Sequence, residues 1–228
     1  MSPVPIFRDR SLAGEELSVE IASQLAELSN TGFSPKPIVY ALPRGGLPVA
    51  VPVARRLNCP LTILVAKKIT RVKNPELAIG AVTADGYVVW GQSFVPDKNS
   101  ERDRQVREAA LKVAEAKALA QQEQLAPACP PVNAKETIAI LIDDGIATGM
   151  TMAAAAGSVR SQEPAQVWIC APVAPPELMG WLCQWSDRSL VLATPYPFLS
   201  VSRFYEQFPQ VSMEEALNSL RQHNYPLP

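Results

Sequence analysis

The chain has 228 residues, 47% hydrophobic and 19% charged, with a formal net charge of −1. This suits one globular unit with a sizeable core, and a charge so near zero supplies no global field to attract nucleic acid. No run approaches the roughly 18 consecutive apolar residues of a membrane span, and the opening MSPVPIFRDR does not read as a secretory signal.

In chain order, Leu17, Ile21, Leu25 and Leu28 recur at helical spacing behind Ser11, which is the expected cap. Ile38 to Leu42 is an apolar run of strand length, broken by Pro43-Arg44-Gly45-Gly46. A helix through Val53, Ala54 and Leu57 follows, with Pro48 tolerable in a first turn and Pro52 leaving its start open. Leu61 to Ala66 reads as a second buried strand, followed by a basic loop. Ala81 to Ala84 and Tyr87 to Trp90 flank Asp85-Gly86, a two-residue hairpin signal.

Ser100 to Leu125 is rich in helix formers, and Pro127 to Ala134 reads as a linker. Ile138 to Ile142 is a third core strand, followed by a helix from near Met150 and a fourth strand from Val167 to Ala171. Leu178 to Trp185 suggests a helix, Leu190 to Ala193 a fifth strand, and Glu214 to Gln222 a closing helix. The 22 prolines punctuate these elements without forming a repeat. Strands alternating with helices predict an α/β fold, a mostly parallel central sheet flanked by helices, with ligands at the carboxyl ends of the strands.

Two such ends carry chemistry. The strand Ile138 to Ile142 delivers Asp143 and Asp144, then a tight loop with Gly145 and Gly149, then a helix start. Converging amides and the helix dipole favour phosphate there, and Thr148 and Thr151 add hydroxyls. The acids suit a ribose diol and a sugar ring that develops positive charge. At the first strand's end, Arg44-Gly45-Gly46 offers a forked donor and close backbone approach. By itself that run fits a surface turn equally well. Lys67, Lys68, Arg71 and Lys73 form a cationic cluster that alone fits a solvated loop.

Other chemistries fail. The patterns G-x-x-x-x-G-K-[ST], G-x-G-x-x-G and G-x-S-x-G are absent, and the one histidine, His223, excludes His-based triads. Cys59, Cys129, Cys170 and Cys183 lack C-x-x-C spacing and read as idle thiols of a reducing, cytoplasmic compartment.

The stretch Ile138 to Thr151 resembles the 5-phosphoribosyl-1-pyrophosphate motif of type I phosphoribosyltransferases, with Asp143, Asp144, Thr148, Gly149 and Thr151 matching residue by residue. Phe7-Arg8-Asp9-Arg10, Asn74 to Val82 and Pro197 to Phe208 resemble a branch of that family whose substrate is uncharacterised. The resemblance implies one domain over 1–228, with a core of about 36–194, a β-hairpin and flexible loop, and hood or accessory segments at about 1–35, 92–134 and 195–228.

The resemblance also implies roles. Asp143, Asp144 and Lys68 would be catalytic, and Gly145, Ile146, Ala147, Thr148, Gly149, Met150 and Thr151 would hold the ribose 5-phosphate. Arg44, Gly45, Gly46, Lys67 and Lys68 would bind pyrophosphate, with a non-proline cis peptide near Pro43-Arg44. Ile69 to Ile79 would be a mobile loop that closes over the diphosphate. Mg would arrive on the diphosphate and ribose hydroxyls, with Asp143 and Asp144 as indirect ligands and no direct protein ligand. The acceptor would be a small nitrogen nucleophile such as a nucleobase, flanked by Phe198, Val201 and Tyr205. Gly145, Ala147 and Met150 depart from the best-known members and leave the acceptor open. A homodimer is the implied assembly, with neither nucleic acid nor membrane as partner. Two other functions fit the same motif: a non-catalytic sensor of a phosphoribosyl ligand, and a phosphoribosyl hydrolase.

Overall fold

The computed structural model describes residues 5–71, 74–91 and 101–225. Five parallel strands form the central sheet in the order β2-β1-β6-β7-β8: Leu61–Ile63, Pro37–Ala41, Ile138–Ile142, Gln166–Val173 and Arg188–Ala193. Their near-continuous apolar character is what a sheet covered on both faces requires. Alternate residues of β1 go to opposite sides. Val39 and Ala41 join one core with Leu17, Ile21 and Val53, while Ile38 and Tyr40 join another with Met152, Ala155 and Ala156. Helices α1 (Arg10–Asn30), α2 (Gly46–Leu57) and α6 (Met213–Asn224) supply the first layer, and α4 (Met150–Arg160) supplies the second.

The chain steps from β1 to β2 on one side, then returns to place β6 against β1's other edge. That reversal opens a crevice at the carboxyl ends of β1 and β6, where open α/β sheets take their ligands. The two strands end level, with Ala41 opposite Ile142 and Leu42 N–H donating to the Ile142 carbonyl at 2.8 Å.

A separate antiparallel sheet contains β3 (Ala66–Arg71), β4 (Asn74–Thr83) and β5 (Val88–Trp90). The hairpin at Asp85-Gly86 joins β4 to β5, with Gly86 at φ 89°. Helix α3 (Glu101–Leu125) packs on this sheet through Ala110 and Ala114.

Several expectations change. Asp9, rather than Ser11, caps α1, accepting from Leu12 N–H at 2.9 Å. The apolar run Leu61 to Ala66 divides: β2 stops at Ile63, and Ala66 opens the second sheet. Apolar continuity cannot reveal a change of sheet. The basic segment expected as a loop is a ribbon, with Ile69 opposite Gly80 and Arg71 opposite Asn74, while Lys73 lies outside the described residues. Helix α2 accommodates Pro52 inside it. The expected helix at 178–185 shrinks to one turn, α5 (Met179–Leu182), behind a 3-10 turn at Pro176–Leu178. The linker after α3 begins with a 3-10 turn at Ala126–Ala128.

Candidate active site

Strand β6 is fully buried and hands the chain directly to Asp143 and Asp144. Asp144 N–H donates to Asp143 Oδ1 at 2.8 Å, which fixes the first carboxylate against its own backbone. Ile146 N–H donates to the Val173 carbonyl at 2.9 Å and pins the loop to β7. The turn into α4 uses Gly149 at φ 73°, a left-handed conformation that glycine adopts without strain, with the Trp181 ring where a side chain would fall. No side chain caps α4, so its first-turn N–H groups keep their capacity for an anion, beside exposed Thr148 and half-buried Thr151.

The neighbouring loop begins at the cis peptide Pro43-Arg44, where the sequence resemblance placed one. Gly45 lies against the acidic pair so closely that a Cβ there would collide with Asp144 Oδ2. Absence of a side chain at 45 is therefore what lets the two loops share one crevice. From β3, Lys67 is half-buried and lines this crevice, while Lys68 is exposed, as alternation along a strand requires. Lys68 still acts on Asp143 through its charge, favouring the ionised carboxylate.

Arg10, Arg44, Gly45, Lys67, Lys117, Asp143 and Asp144 share one cavity of about 650 Å³. Burial pushes Asp143 well above the usual carboxylate range, and the adjacent Asp144 charge pushes it further. Burial raises Asp144 as well, but Arg10 opposes this through a 2.7 Å bond from Nε to Oδ2. Both carboxyls are therefore raised, Asp143 the more strongly, since the Arg10 guanidinium bonds Asp144 directly. Lys67 is lowered, first by burial and then by repulsion from Arg44 and Lys117.

The structure adds residues that the motif reading passed over. Arg10 is nearly buried, donates Nη1 to the Pro209 carbonyl at 2.7 Å, and lies 3.5 Å above the Phe208 ring centroid. It ties α1 and the C-terminal segment to an aspartate 134 residues away. The segment Phe7 to Arg10 was marked only by resemblance, and no local pattern names its partner. Lys117, Gln121 and Gln124 of α3 also line the cavity, at a spacing that reads locally as an ordinary helix face.

The residues expected around an acceptor lie beside the same loop. Val201 covers Gly145, where a Cβ would fall 2.5 Å from Val201 Cγ1, so the Val201 side chain occupies space that a bulkier loop residue would need. Met150 leans instead onto Ala81 and Val89 of the second sheet. Phe198 is half-buried and packs on Phe204 at 4.9 Å between ring centroids. Tyr205 is buried beside Phe7 and Phe208, and its hydroxyl donates to the Asp144 carbonyl at 2.6 Å. That geometry makes Tyr205 a support for the acidic loop.

The profile of the phosphoribosyl transferase domain matches residues 11–179. Two Mycobacterium tuberculosis proteins, from strains CDC 1551 / Oshkosh and H37Rv, are each provisionally named a phosphoribosyl transferase. They are 34% identical over 218 residues, covering 93% of this chain and 46% of theirs. The chain thus spans slightly under half the length of those relatives. The crystal structure of TT1426 from Thermus thermophilus shares the fold at a TM-score of 0.74 and 30% identity, over 95% of this chain and 98% of that one.

Proposed function

The chain belongs to the phosphoribosyl transferase domain family, and from that premise we propose that it binds 5-phosphoribosyl-1-pyrophosphate with Mg²⁺ and transfers the phosphoribosyl group to a small nitrogen acceptor, releasing pyrophosphate. The observation that carries the reading is the single cavity in which Arg44 and Gly45 face Asp143 and Asp144. A ligand with an anionic group at one end and a ribose beside it satisfies both sets at once.

In this reading the α4 N-terminus, Thr148 and Thr151 take the 5-phosphate. Arg44, the backbone at Gly45 and Gly46, and Lys67 take the diphosphate, with Lys68 at the rim. Asp143 and Asp144 face the ribose. As the bond from carbon 1 to the diphosphate breaks, positive charge grows on the sugar ring and negative charge on the departing oxygens. Carboxylates on one side and cations on the other stabilise both where they develop. Arg10 bonds the Asp144 carboxylate and Tyr205 its carbonyl, so the pair need not reorganise during the step.

The cavity offers two carboxylates, Asp143 and Asp144, and Asp144 is already paired with Arg10. Such a donor set fits Mg²⁺ held mainly by phosphate oxygens and water, with the aspartates contributing indirectly. When bound, the ion would lower the charge of the leaving diphosphate. Phe198 and Val201 bound the acceptor side, a half-apolar edge suited to a planar nitrogen base. We further read the protein as a cytoplasmic homodimer.

The test is pyrophosphate release by purified protein supplied with donor and Mg²⁺, across purines, pyrimidines and small amines. Acceptor-dependent release supports a transferase. Release without acceptor points to a hydrolase, and donor binding with no release across the panel points to a sensor.

A further inference from the structure

Helix α3 was assigned no role from the sequence, yet one face of it forms a wall of the cavity. Lys117, Ala120, Gln121 and Gln124 line that wall, at the i, i+3, i+4 and i+7 spacing of a single helical face. The adjoining face of α3 holds it in place: Ala110 and Ala114 pack on the second sheet, and Ala118 and Leu125 are fully buried in the main core. The face is thus fixed, with small Ala120 leaving room between Lys117 and Gln124.

The charges that converge here are unbalanced. Four cations, Arg10, Arg44, Lys67 and Lys117, line the cavity against two carboxylates. Arg10 is committed to Asp144 by the 2.7 Å bond. None of the ion pairs among the described residues involves Arg44, Lys67 or Lys117. Lys117 stands close enough to Lys67 to disfavour that lysine's charged form, as Arg44 does from the other side. Three like charges brought together from a loop, a strand and a helix repel one another, and a polyanion among them relieves that repulsion.

We propose that Lys117 is a diphosphate-binding residue, completing with Arg44 and Lys67 a three-sided cationic clamp in which α3 is the third side. This rests on the donor assignment above and extends it to a residue outside both loops. A flexible lysine stem reaching from a fixed helix suits a group that must be gripped before transfer and released after it.

The experiment is calorimetric titration of the full chain with two probes, inorganic pyrophosphate plus Mg²⁺, and ribose 5-phosphate. Lys117→Met is expected to weaken pyrophosphate binding by roughly tenfold or more, the usual loss for a hydrogen bond to a charged group. Lys117→Glu should weaken it further, and Lys117→Arg should restore most of it. Ribose 5-phosphate affinity should stay within about twofold in all three variants, because that probe occupies the α4 end, and additivity holds for separate contacts. The exposed position of Lys117 leaves the fold intact, which the thermal midpoint without ligand will show.

Equal pyrophosphate affinity in wild type and Lys117→Met would overturn the inference while leaving the donor reading standing. Parallel loss of both probes would also overturn it, since a general disturbance of the site would then be the cause. Wild-type protein that binds neither probe would refute the donor reading itself, and this inference with it.

Discussion

The loop from Asp143 to Thr151 and the wall that faces it are built in opposite ways. The loop is nine consecutive residues that run from the end of one strand into the first turn of one helix, and what it offers an anion is mostly backbone amides. The wall is assembled from α1, the loop after β1, β3, α3 and the segment before α6, and it acts through side chains. A local loop is set by its own chain geometry. A composite wall depends on every element that contributes to it, so changes at its buried members should spread into stability, whereas changes in the loop should show mainly in chemistry.

The sharpest way to break that contrast is Asp143→Asn combined with Asp144→Asn. Transfer should fall by about 10³-fold or more, in line with removal of electrostatic stabilisation at a reacting centre. Circular dichroism should remain native. Turnover near the wild-type rate would end the assignment of the acidic pair.

Arg10→Met tests the wall. Removing one partner of a nearly buried ion pair leaves Asp144 uncompensated and should cost about 3–5 kcal/mol in denaturant unfolding. A loss below about 1 kcal/mol would mean that the C-terminal segment and α1 are held together by other contacts.

Tyr205→Phe is a milder change to the same wall. It leaves the half-buried Asp144 carbonyl without its phenol donor and should cost about 1–3 kcal/mol. Donor affinity should fall along with stability. A variant that loses stability with unaltered donor binding would separate Tyr205 from the site.

The smallest effect is expected from Asp143→Asn alone, and it has a sign. The folded-state pKa of Asp143 is raised by burial and by Asp144, so folding favours its protonated form. Its contribution is fully present below the unfolded value and is lost as pH rises through the folded value. At neutral pH the wild type therefore carries a penalty that asparagine avoids. The variant should melt higher than wild type at about pH 7, and the gap should close as the pH approaches about 4, the ordinary carboxylate value. A gap that widens on acidification would reverse the argument.

These regions were unequally legible in the sequence. The five strands of the main sheet and the acidic loop declare themselves within a dozen residues each, because apolar runs, an acid pair and glycines are local signals. Lys67 and Lys68 were visible as a cluster, but only the strand geometry of β3 separates the half-buried lysine from the exposed one. From the sequence, Lys117 is passed over, Arg10 is marked without a partner, and Tyr205 reads as flanking the acceptor and not as a support for Asp144. Their partners lie far off in sequence, 134 residues away for Arg10 and 61 for Tyr205, and a side-chain contact across such a gap leaves no spacing to read. Asp9 displaced Ser11 as the cap of α1 for a nearby reason: both residue types cap well, and which one does so depends on where the chain enters the helix.

Calorimetric titration of folded wild-type protein with 5-phosphoribosyl-1-pyrophosphate, with and without Mg²⁺, tests the central claim most directly. The account predicts saturable one-site binding that strengthens with Mg²⁺ and is lost in the Asp143→Asn, Asp144→Asn double variant. Folded wild-type protein that shows no binding with Mg²⁺ present, or a double variant that binds as tightly as wild type, would contradict it.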